Sequence, residues 1–166
     1  MIDGQSALKL IADSLERWPT FDAAGCADDF RALIRQIGFS ACACGAWAGV
    51  GRARRHRFFF VDWPQPWLEL YEREGFFHHD MLAIESRRRI SACWLSDTVA
   101  HLRLTAKQKE LVQAFEAYGW KDVFGVPIHG PGNLQGLVTM VTREKIILGA
   151  TERAMLEAAA RTVWER

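Results

Sequence analysis

Apolar residues recur at the spacing of an amphipathic helix in several segments of the chain. In the first segment, Leu8, Ile11 and Leu15 fall on one helical face. Asp22 and Thr105 stand where helix N-caps are expected, because their side-chain oxygens can accept from free backbone N–H groups. The predicted helices cover residues 5–17, 22–37, about 62 to 74, 79–89, 105–118 and about 151 to the C-terminus.

Strand-like segments lie between these helices. Small and aromatic residues over 39–47 and aromatic residues over 56–61 predict two strands, and residues 123–128 and 134–142 predict two more around a Gly- and Pro-containing turn. A loop is predicted after residue 47, and another carries Cys93 and Trp94. This order predicts an α/β (α+β) fold, an α-β-α sandwich. Its central antiparallel sheet of about five strands would have helices on both faces, in a single domain over residues 1–166.

Composition and charge exclude several classes of protein. The chain has 166 residues and a net charge of +1, so no overall field attracts it to nucleic acid or to a membrane surface. No apolar run reaches the roughly 18 residues that span a bilayer, and the N-terminus does not resemble a signal peptide. A cytoplasmic location is expected. The four cysteines are interpreted as small buried hydrophobic residues in a reducing compartment.

Aromatic side chains provide the first sign of a binding site. Trp63, Trp67 and Tyr71 are spaced four apart, so they share one face of a helix. On spacing alone, this is either a core stripe or the wall of an apolar pocket. An acidic residue, Asp80, follows beside an apolar run, and a further tryptophan, Trp94, comes after it.

This ordered set resembles a known family. The chain reads Trp63-Pro64-Gln65-Pro66-Trp67-Leu68-Glu69-Leu70-Tyr71, then Asp80-Met81, then Cys93-Trp94. Together with residues 118–131, it resembles the N-terminal domain of LuxR-type quorum-sensing regulators, which binds acyl-homoserine lactones. The resemblance spans nearly the whole chain. It implies a domain that senses a small molecule and is not an enzyme.

The resemblance also implies roles for individual residues. The Trp67 indole would donate to the lactone carbonyl, and Asp80 would accept from the ligand amide. Tyr71 and Trp94 would surround the head group, and Thr139 would lie near the acyl carbonyl. Residues expected along the acyl tail are Ala43, Gly45, Trp47 and Leu82.

Three residues depart from the family pattern. Trp63 replaces a tyrosine, Met81 replaces the proline after the aspartate, and Val123 replaces a frequent glycine. Trp63 is still expected to contact ligand, and the bulk of Trp47 and Trp63 predicts a short, branched or aromatic acyl group.

The resemblance implies partners as well. Members of the family form homodimers and bind DNA through a C-terminal helix-turn-helix domain, which is expected to be absent from this chain. No cofactor, metal or membrane partner is expected. An alternative is a similar sensory domain whose ligand is not a lactone, such as a plant-derived compound.

Other clusters of reactive residues have simpler interpretations. Adjacent His78 and His79 point apart on one segment, so a metal site there is disfavoured. The same holds for Cys42 and Cys44, which have no second pair of ligands, and for Cys93 as a nucleophile without an orienting motif. The arginines at 52, 54, 55, 57 and 87–89 are predicted to be solvated side chains and not a DNA-binding surface.

Overall fold

The computed structural model describes residues 2–48 and 55–166. These residues form seven α-helices and five strands. The helices are α1 (Gly4–Arg17), α2 (Ala23–Ile37), α3 (Gln65–Arg73), α4 (Met81–Glu85), α5 (Leu95–Val99), α6 (Ala106–Ala117) and α7 (Ala150–Trp164). The strands are β1 (Phe39–Ala48), β2 (Arg55–Val61), β3 (Cys93–Trp94), β4 (Asp122–His129) and β5 (Gln135–Thr142).

Local side-chain chemistry sets the helix ends. Asp22 accepts from the backbone N–H of Gly25 at 2.8 Å, which satisfies a free donor at the start of α2. Gly38 ends the same helix with φ of 120°, a conformation that side chains disfavour. Thr105 and Gln108 form a reciprocal capping box that begins α6. The predicted caps are therefore confirmed at α2 and α6.

The five strands form one antiparallel sheet in the order β2-β1-β5-β4-β3. Because side chains alternate along a strand, β1 presents different residues to each face. Cys42 and Cys44 belong to the core on one face, whereas Ala43, Gly45 and Trp47 point towards the other. The predicted architecture, a central antiparallel sheet with helices on both faces, is confirmed.

The first face of the sheet is closely packed. Helices α1, α2 and α7 cover it, and Trp18, Phe30 and Phe124 are fully buried there. The Trp18 indole donates to Asp29 at 2.9 Å, so this polar atom is satisfied beside the core. This layer holds the structural core of the domain.

The second face is covered by α3, α4 and α6. A separate cluster of buried side chains, including Trp67, Phe77 and Phe115, lies between these helices and the sheet. None of the helices within the described ranges combines the length and apolar character needed to cross a bilayer.

The structure corrects several predicted elements. Cys93 and Trp94 form the short edge strand β3 and not a loop, paired with Gly125 and Phe124 of β4. Two residues are too few to show a periodic pattern, so the strand depends on this pairing. Helix α5 was not predicted at all. The helix predicted over 79–89 is limited to α4, and the one predicted from 62 begins at Gln65. The loop predicted over residues 49–54, with Arg52 and Arg54, lies outside the described residues.

Candidate functional site

Two adjoining cavities lie between the second face of the sheet and its covering helices. The space open to the centre of a water molecule is about 50 Å³ in the first and about 40 Å³ in the second. Both are lined by Trp63, Tyr71, Asp80 and Thr139, so these four side chains mark the junction between them.

Aromatic rings form one wall of the first cavity. The Trp67 ring centroid lies 4.9 Å from that of Trp120 and 5.1 Å from that of Tyr118, in edge-to-face contacts. Only 3% of the surface of Trp67 is exposed. Such packing fixes the direction of the indole. The remaining lining is largely aliphatic, with Met81, Leu82, Leu95, Leu111, Val112, Phe115, Val123 and Val141.

Asp80 supplies the negative charge at the junction. Its Oδ1 accepts from the backbone N–H of Leu82 at 2.9 Å and of Ala83 at 3.3 Å, which caps α4. Its Oδ2 accepts from the Tyr71 hydroxyl at 2.9 Å. Because a carboxylate oxygen has two lone pairs, Oδ2 retains one site for a further donor.

Burial shapes the acid–base properties of this pair. Removal from water raises the pKa of Asp80, although its hydrogen bonds with Tyr71 and the α4 backbone act in the opposite direction. The pKa of Tyr71 is well above its usual value, first because the hydroxyl is buried and second because Asp80 is negative. Tyr71 therefore remains a hydrogen-bond donor at neutral pH.

Two indole N–H groups at the site find no acceptor among the residues that the structure describes. Within the described residues, the Trp63 Nε1 atom is buried without a hydrogen-bond partner. The Trp67 Nε1 atom makes no hydrogen bond to another described residue either, but it is not among the fully buried unpaired atoms. An unpaired buried donor costs about 1–3 kcal/mol. The cavity thus carries donors that an acceptor on a bound molecule could satisfy.

Thr139 completes the polar junction from the sheet side. It lies on β5 opposite Ala43, whose carbonyl accepts from the Thr139 hydroxyl at a long 3.5 Å. Only 9% of the surface of Thr139 is exposed. A hydroxyl held this weakly can exchange its partner for a better-placed acceptor.

The second cavity extends along β1 and β2. Ala43, Gly45 and Trp47 line it from β1. A Cβ at Gly45 would lie 2.9 Å from the Arg57 carbonyl oxygen, so the close approach at a β-bulge requires glycine. The Trp47 indole is held in place because its Nε1–H donates a hydrogen bond of 3.0 Å to Oε1 of Gln135. The small residues leave open space that aromatic rings surround.

The structure brings nine of the ten predicted site residues to the cavities and leaves one elsewhere. Trp94 packs on the opposite face, stacked on Phe39 with ring centroids 6.1 Å apart and 5.0 Å from Phe124. Its neighbour Cys93 belongs to the cavity-side cluster. Because side chains alternate along β3, Trp94 points away from the cavities. The sequence predicts a loop here, and a loop does not indicate to which face of the sheet a side chain points.

Several lining residues were not predicted. On α6, Leu111 and Phe115 were recognised as an apolar stripe, but the pattern does not distinguish a cavity wall from a core. His56 and Phe58 could have been found from alternation along β2. Phe77 lies in a short 3₁₀ helix that the sequence pattern does not show.

The other candidate reactive side chains in the sequence are histidines and cysteines. Within the described residues, no group of three or more potential metal ligands comes together. Burial raises the pKa of both Cys42 and Cys44 to about 12, so these thiols stay protonated in the core. The Cys93 sulfur lies 3.7 Å from the donating hydroxyl of Thr98.

Comparison with solved structures shows the same fold in bacterial regulators. Escherichia coli SdiA aligns with a TM-score of 0.74 at 13% identity, covering 94% of this chain and 66% of SdiA. CepR2 of Burkholderia cenocepacia, described as an N-acylhomoserine lactone-dependent LuxR family transcription factor, aligns with a TM-score of 0.70 at 16% identity. That alignment covers 98% of this chain and 92% of CepR2. The chain thus spans about two thirds of the length of SdiA.

A second SdiA structure contains octanoyl-rac-glycerol and aligns with a TM-score of 0.74 at 13% identity, covering 100% of this chain and 68% of SdiA. A search of curated proteins finds no match. A family profile described as the autoinducer binding domain matches residues 22–166, which include every element from α2 onward. The chain therefore belongs to the autoinducer-binding-domain family, as its aromatic and acidic motifs predict.

Proposed function

We propose that this domain is the sensor of a LuxR-type quorum-sensing regulator and that it binds an N-acyl-homoserine lactone. The observation that carries the proposal is the junction itself, where Asp80 has a vacant acceptor site and the buried Trp63 indole has an unpaired donor. The Trp67 indole, which makes no hydrogen bond to a described residue, lies on the same side. An acyl-homoserine lactone has one amide N–H and two kinds of carbonyl oxygen. Its hydrogen-bonding groups are thus complementary to those of the junction.

The proposed orientation follows from this complementarity. The lactone ring occupies the first cavity, where Trp67 donates to its carbonyl. The amide N–H donates to Asp80, and the acyl carbonyl accepts from Trp63. The acyl group then enters the second cavity along β1. In this arrangement, Trp63 supplies a donor although it lacks the hydroxyl of the family's tyrosine. Trp94, which lies on the other face, has no ligand contact.

Ligand binding is expected to stabilise the fold. A lactone at 100 times its Kd adds about 2.7 kcal/mol to the free energy of unfolding, which raises Tm by roughly 5–10 °C for a domain of this size. Thermal denaturation with hexanoyl-homoserine lactone measures this shift. The ring-opened hexanoyl-homoserine is the control, because its additional carboxylate would lie near Asp80. An equal shift with both compounds would contradict the proposed head-group site.

Removing either unpaired indole N–H should weaken binding. Trp67→Phe and Trp63→Phe each retain an aromatic ring but lose the donor. We expect affinity for hexanoyl-homoserine lactone to fall roughly fivefold to tenfold in each case. Titration calorimetry on the folded variants measures the change, with Trp18→Phe on the opposite face as the control. Unchanged affinity in both cavity variants would rule out these contacts.

A second candidate ligand is suggested by the SdiA complex with octanoyl-rac-glycerol. An acylglycerol presents hydroxyl groups and no amide, so it would donate to Asp80 through a hydroxyl. Mass spectrometry of material co-purified with the protein distinguishes the two classes. A Tm increase with octanoylglycerol and none with any lactone would favour the alternative.

We further propose that this sensor acts within a homodimer and that DNA is contacted by a separate C-terminal domain. The support is the membership of the autoinducer-binding-domain family, together with the likeness to CepR2, which is described as a LuxR family transcription factor. Ligand-dependent stability would then control how much folded dimer is present.

A further inference from the structure

The end of the second cavity farthest from the junction is surrounded by aromatic rings. His56 stacks on Phe77 with ring centroids 4.2 Å apart, and Trp47 meets Phe77 edge-on at 5.6 Å. Phe58 contacts His56 at 5.5 Å. These four rings line the second cavity but not the first. Together they define what we call the ring end of the cavity.

The sheet register gives the distance between the ring end and the polar junction. Ala43 is paired with Thr139 at the junction, and Trp47 is paired with His56 at the ring end. Four residues of strand separate the two pairs, which corresponds to about 13 Å. A bound molecule whose amide contacts Asp80 would therefore reach His56 with the far end of its acyl group.

His56 is a polar group in otherwise aromatic surroundings. Within the described part of the chain, its ring nitrogens make no hydrogen bond. Burial is the main cause that lowers its pKa, with a contribution from His78, whereas the negative charge of Glu72 opposes the shift. A neutral imidazole offers one N–H donor and one nitrogen acceptor. Stacking on Phe77 fixes the plane in which these atoms lie.

Resting on the lactone-binding function proposed above, we infer that His56 is a specificity-determining residue that selects acyl groups ending in a flat ring with a hydroxyl substituent. The aromatic walls favour a flat ring because offset and edge-to-face contacts are available on several sides. The hydroxyl would donate a hydrogen bond to the unprotonated ring nitrogen of His56 or accept one from its N–H. A simple alkyl tail would instead cover the imidazole nitrogens without pairing them, which opposes its binding.

Two matched lactones test this inference. They are 3-phenylpropanoyl- and 3-(4-hydroxyphenyl)propanoyl-homoserine lactone, which differ only in the hydroxyl. By titration calorimetry, the hydroxylated compound should bind the wild-type domain roughly fivefold to tenfold more tightly. In His56→Phe this preference should disappear, while the phenyl compound binds at least as well as before. His56→Gln keeps a donor and an acceptor, so it should restore part of the preference.

The outcomes separate this inference from the function on which it rests. If both lactones bind but the wild type does not distinguish them, the role of His56 is wrong and lactone binding stands. The same conclusion follows if His56→Phe retains the full preference. If neither compound nor hexanoyl-homoserine lactone binds, the proposed function itself fails.

Discussion

Asp80→Asn should lower affinity for an acyl-homoserine lactone by roughly 10- to 100-fold while the ligand-free domain keeps its fold. A hydrogen bond to a charged acceptor is worth about 1.5–3 kcal/mol, which gives the size of this loss. The asparagine oxygen can still accept from the Leu82 N–H or the Tyr71 hydroxyl, so the start of α4 stays capped. Binding is therefore affected far more than folding.

The same residue gives the binding a pH dependence of definite sign. Burial raises the pKa of Asp80 in the ligand-free domain, and a ligand N–H that donates to the carboxylate would lower it again. The affinity for the lactone should therefore be highest at pH values above the raised pKa of Asp80, where the carboxylate is ionised. It should decrease as the pH falls through that pKa. Asp80→Asn should remove this dependence.

The sign is opposite for the stability of the ligand-free domain. Because the folded-state pKa of Asp80 is raised above its unfolded value, ionisation of this group opposes folding. The contribution of protonated Asp80 to the free energy of unfolding is fully present below the pKa that Asp80 has in the unfolded chain. It is lost as the pH rises through the higher pKa that Asp80 has in the folded domain. At neutral pH, Asp80→Asn should thus leave the Tm of the ligand-free domain unchanged or higher.

An ester analogue provides a sharp control for both expectations. Replacing the amide nitrogen of the acyl-homoserine lactone by oxygen removes the only N–H group from which Asp80 would accept a hydrogen bond. The wild type should prefer amide over ester by at least tenfold, and Asp80→Asn should reduce this preference. Equal affinity of the wild type for amide and ester would show that Asp80 does not contact the amide.

Phe124→Ala should lower the free energy of unfolding by about 3–5 kcal/mol without changing the ligand affinity of the folded domain. Phe124 is fully buried on the face opposite the cavities, where it packs against Trp94 and carries the Arg153 guanidinium 5.8 Å from its ring. Its removal leaves a void in a closely packed layer. Urea denaturation measures the stability, and calorimetry at low temperature measures the affinity.

Val112→Ala is the matched variant on the other face. Val112 lines the first cavity and is partly buried, so truncation enlarges a space that already exists. We expect a smaller loss of stability than for Phe124→Ala and a measurable loss of affinity. If Phe124→Ala weakened binding more than Val112→Ala, the two faces would not have the separate roles described above.

Much of the fold could be predicted because its strongest signals are local. The caps Asp22 and Thr105 and the stop at Gly38 locate helix ends within one or two residues. The strand β3 could not be predicted, because a two-residue strand depends on a partner, Phe124 and Gly125, that is distant in sequence. Helix α5 begins at the residue after β3. Its Ser96 N–H donates to the Asp122 side chain of β4 at 3.0 Å, so this helix also depends on a partner distant in sequence.

The candidate site was predictable to the extent that its residues lie on long elements. Trp67 and Tyr71 follow from helical spacing, and Ala43 and Gly45 follow from alternation along β1. Trp63 reaches the site although it precedes α3 and so does not lie on the helix that the spacing predicts for it. The contact of these residues with ligand stays a prediction. The ring end was missed because His56 and Phe77 meet only in the folded structure, where a strand and a 3₁₀ helix bring them together. Trp94 was predicted from the family motif to lie at the site, but the motif alone does not indicate the direction of its side chain.

The alternation along β1 has a consequence for how such a sensor can diversify. Cys42 and Cys44 support the structural core, whereas Ala43, Gly45 and Trp47 border the second cavity. Substitutions at Ala43, Gly45 and Trp47 can therefore change the shape of the cavity, while Cys42 and Cys44 preserve the core. One backbone can in this way carry many selectivities. A library confined to the cavity-facing positions of β1 and β2 would be the economical starting point for retuning the sensor.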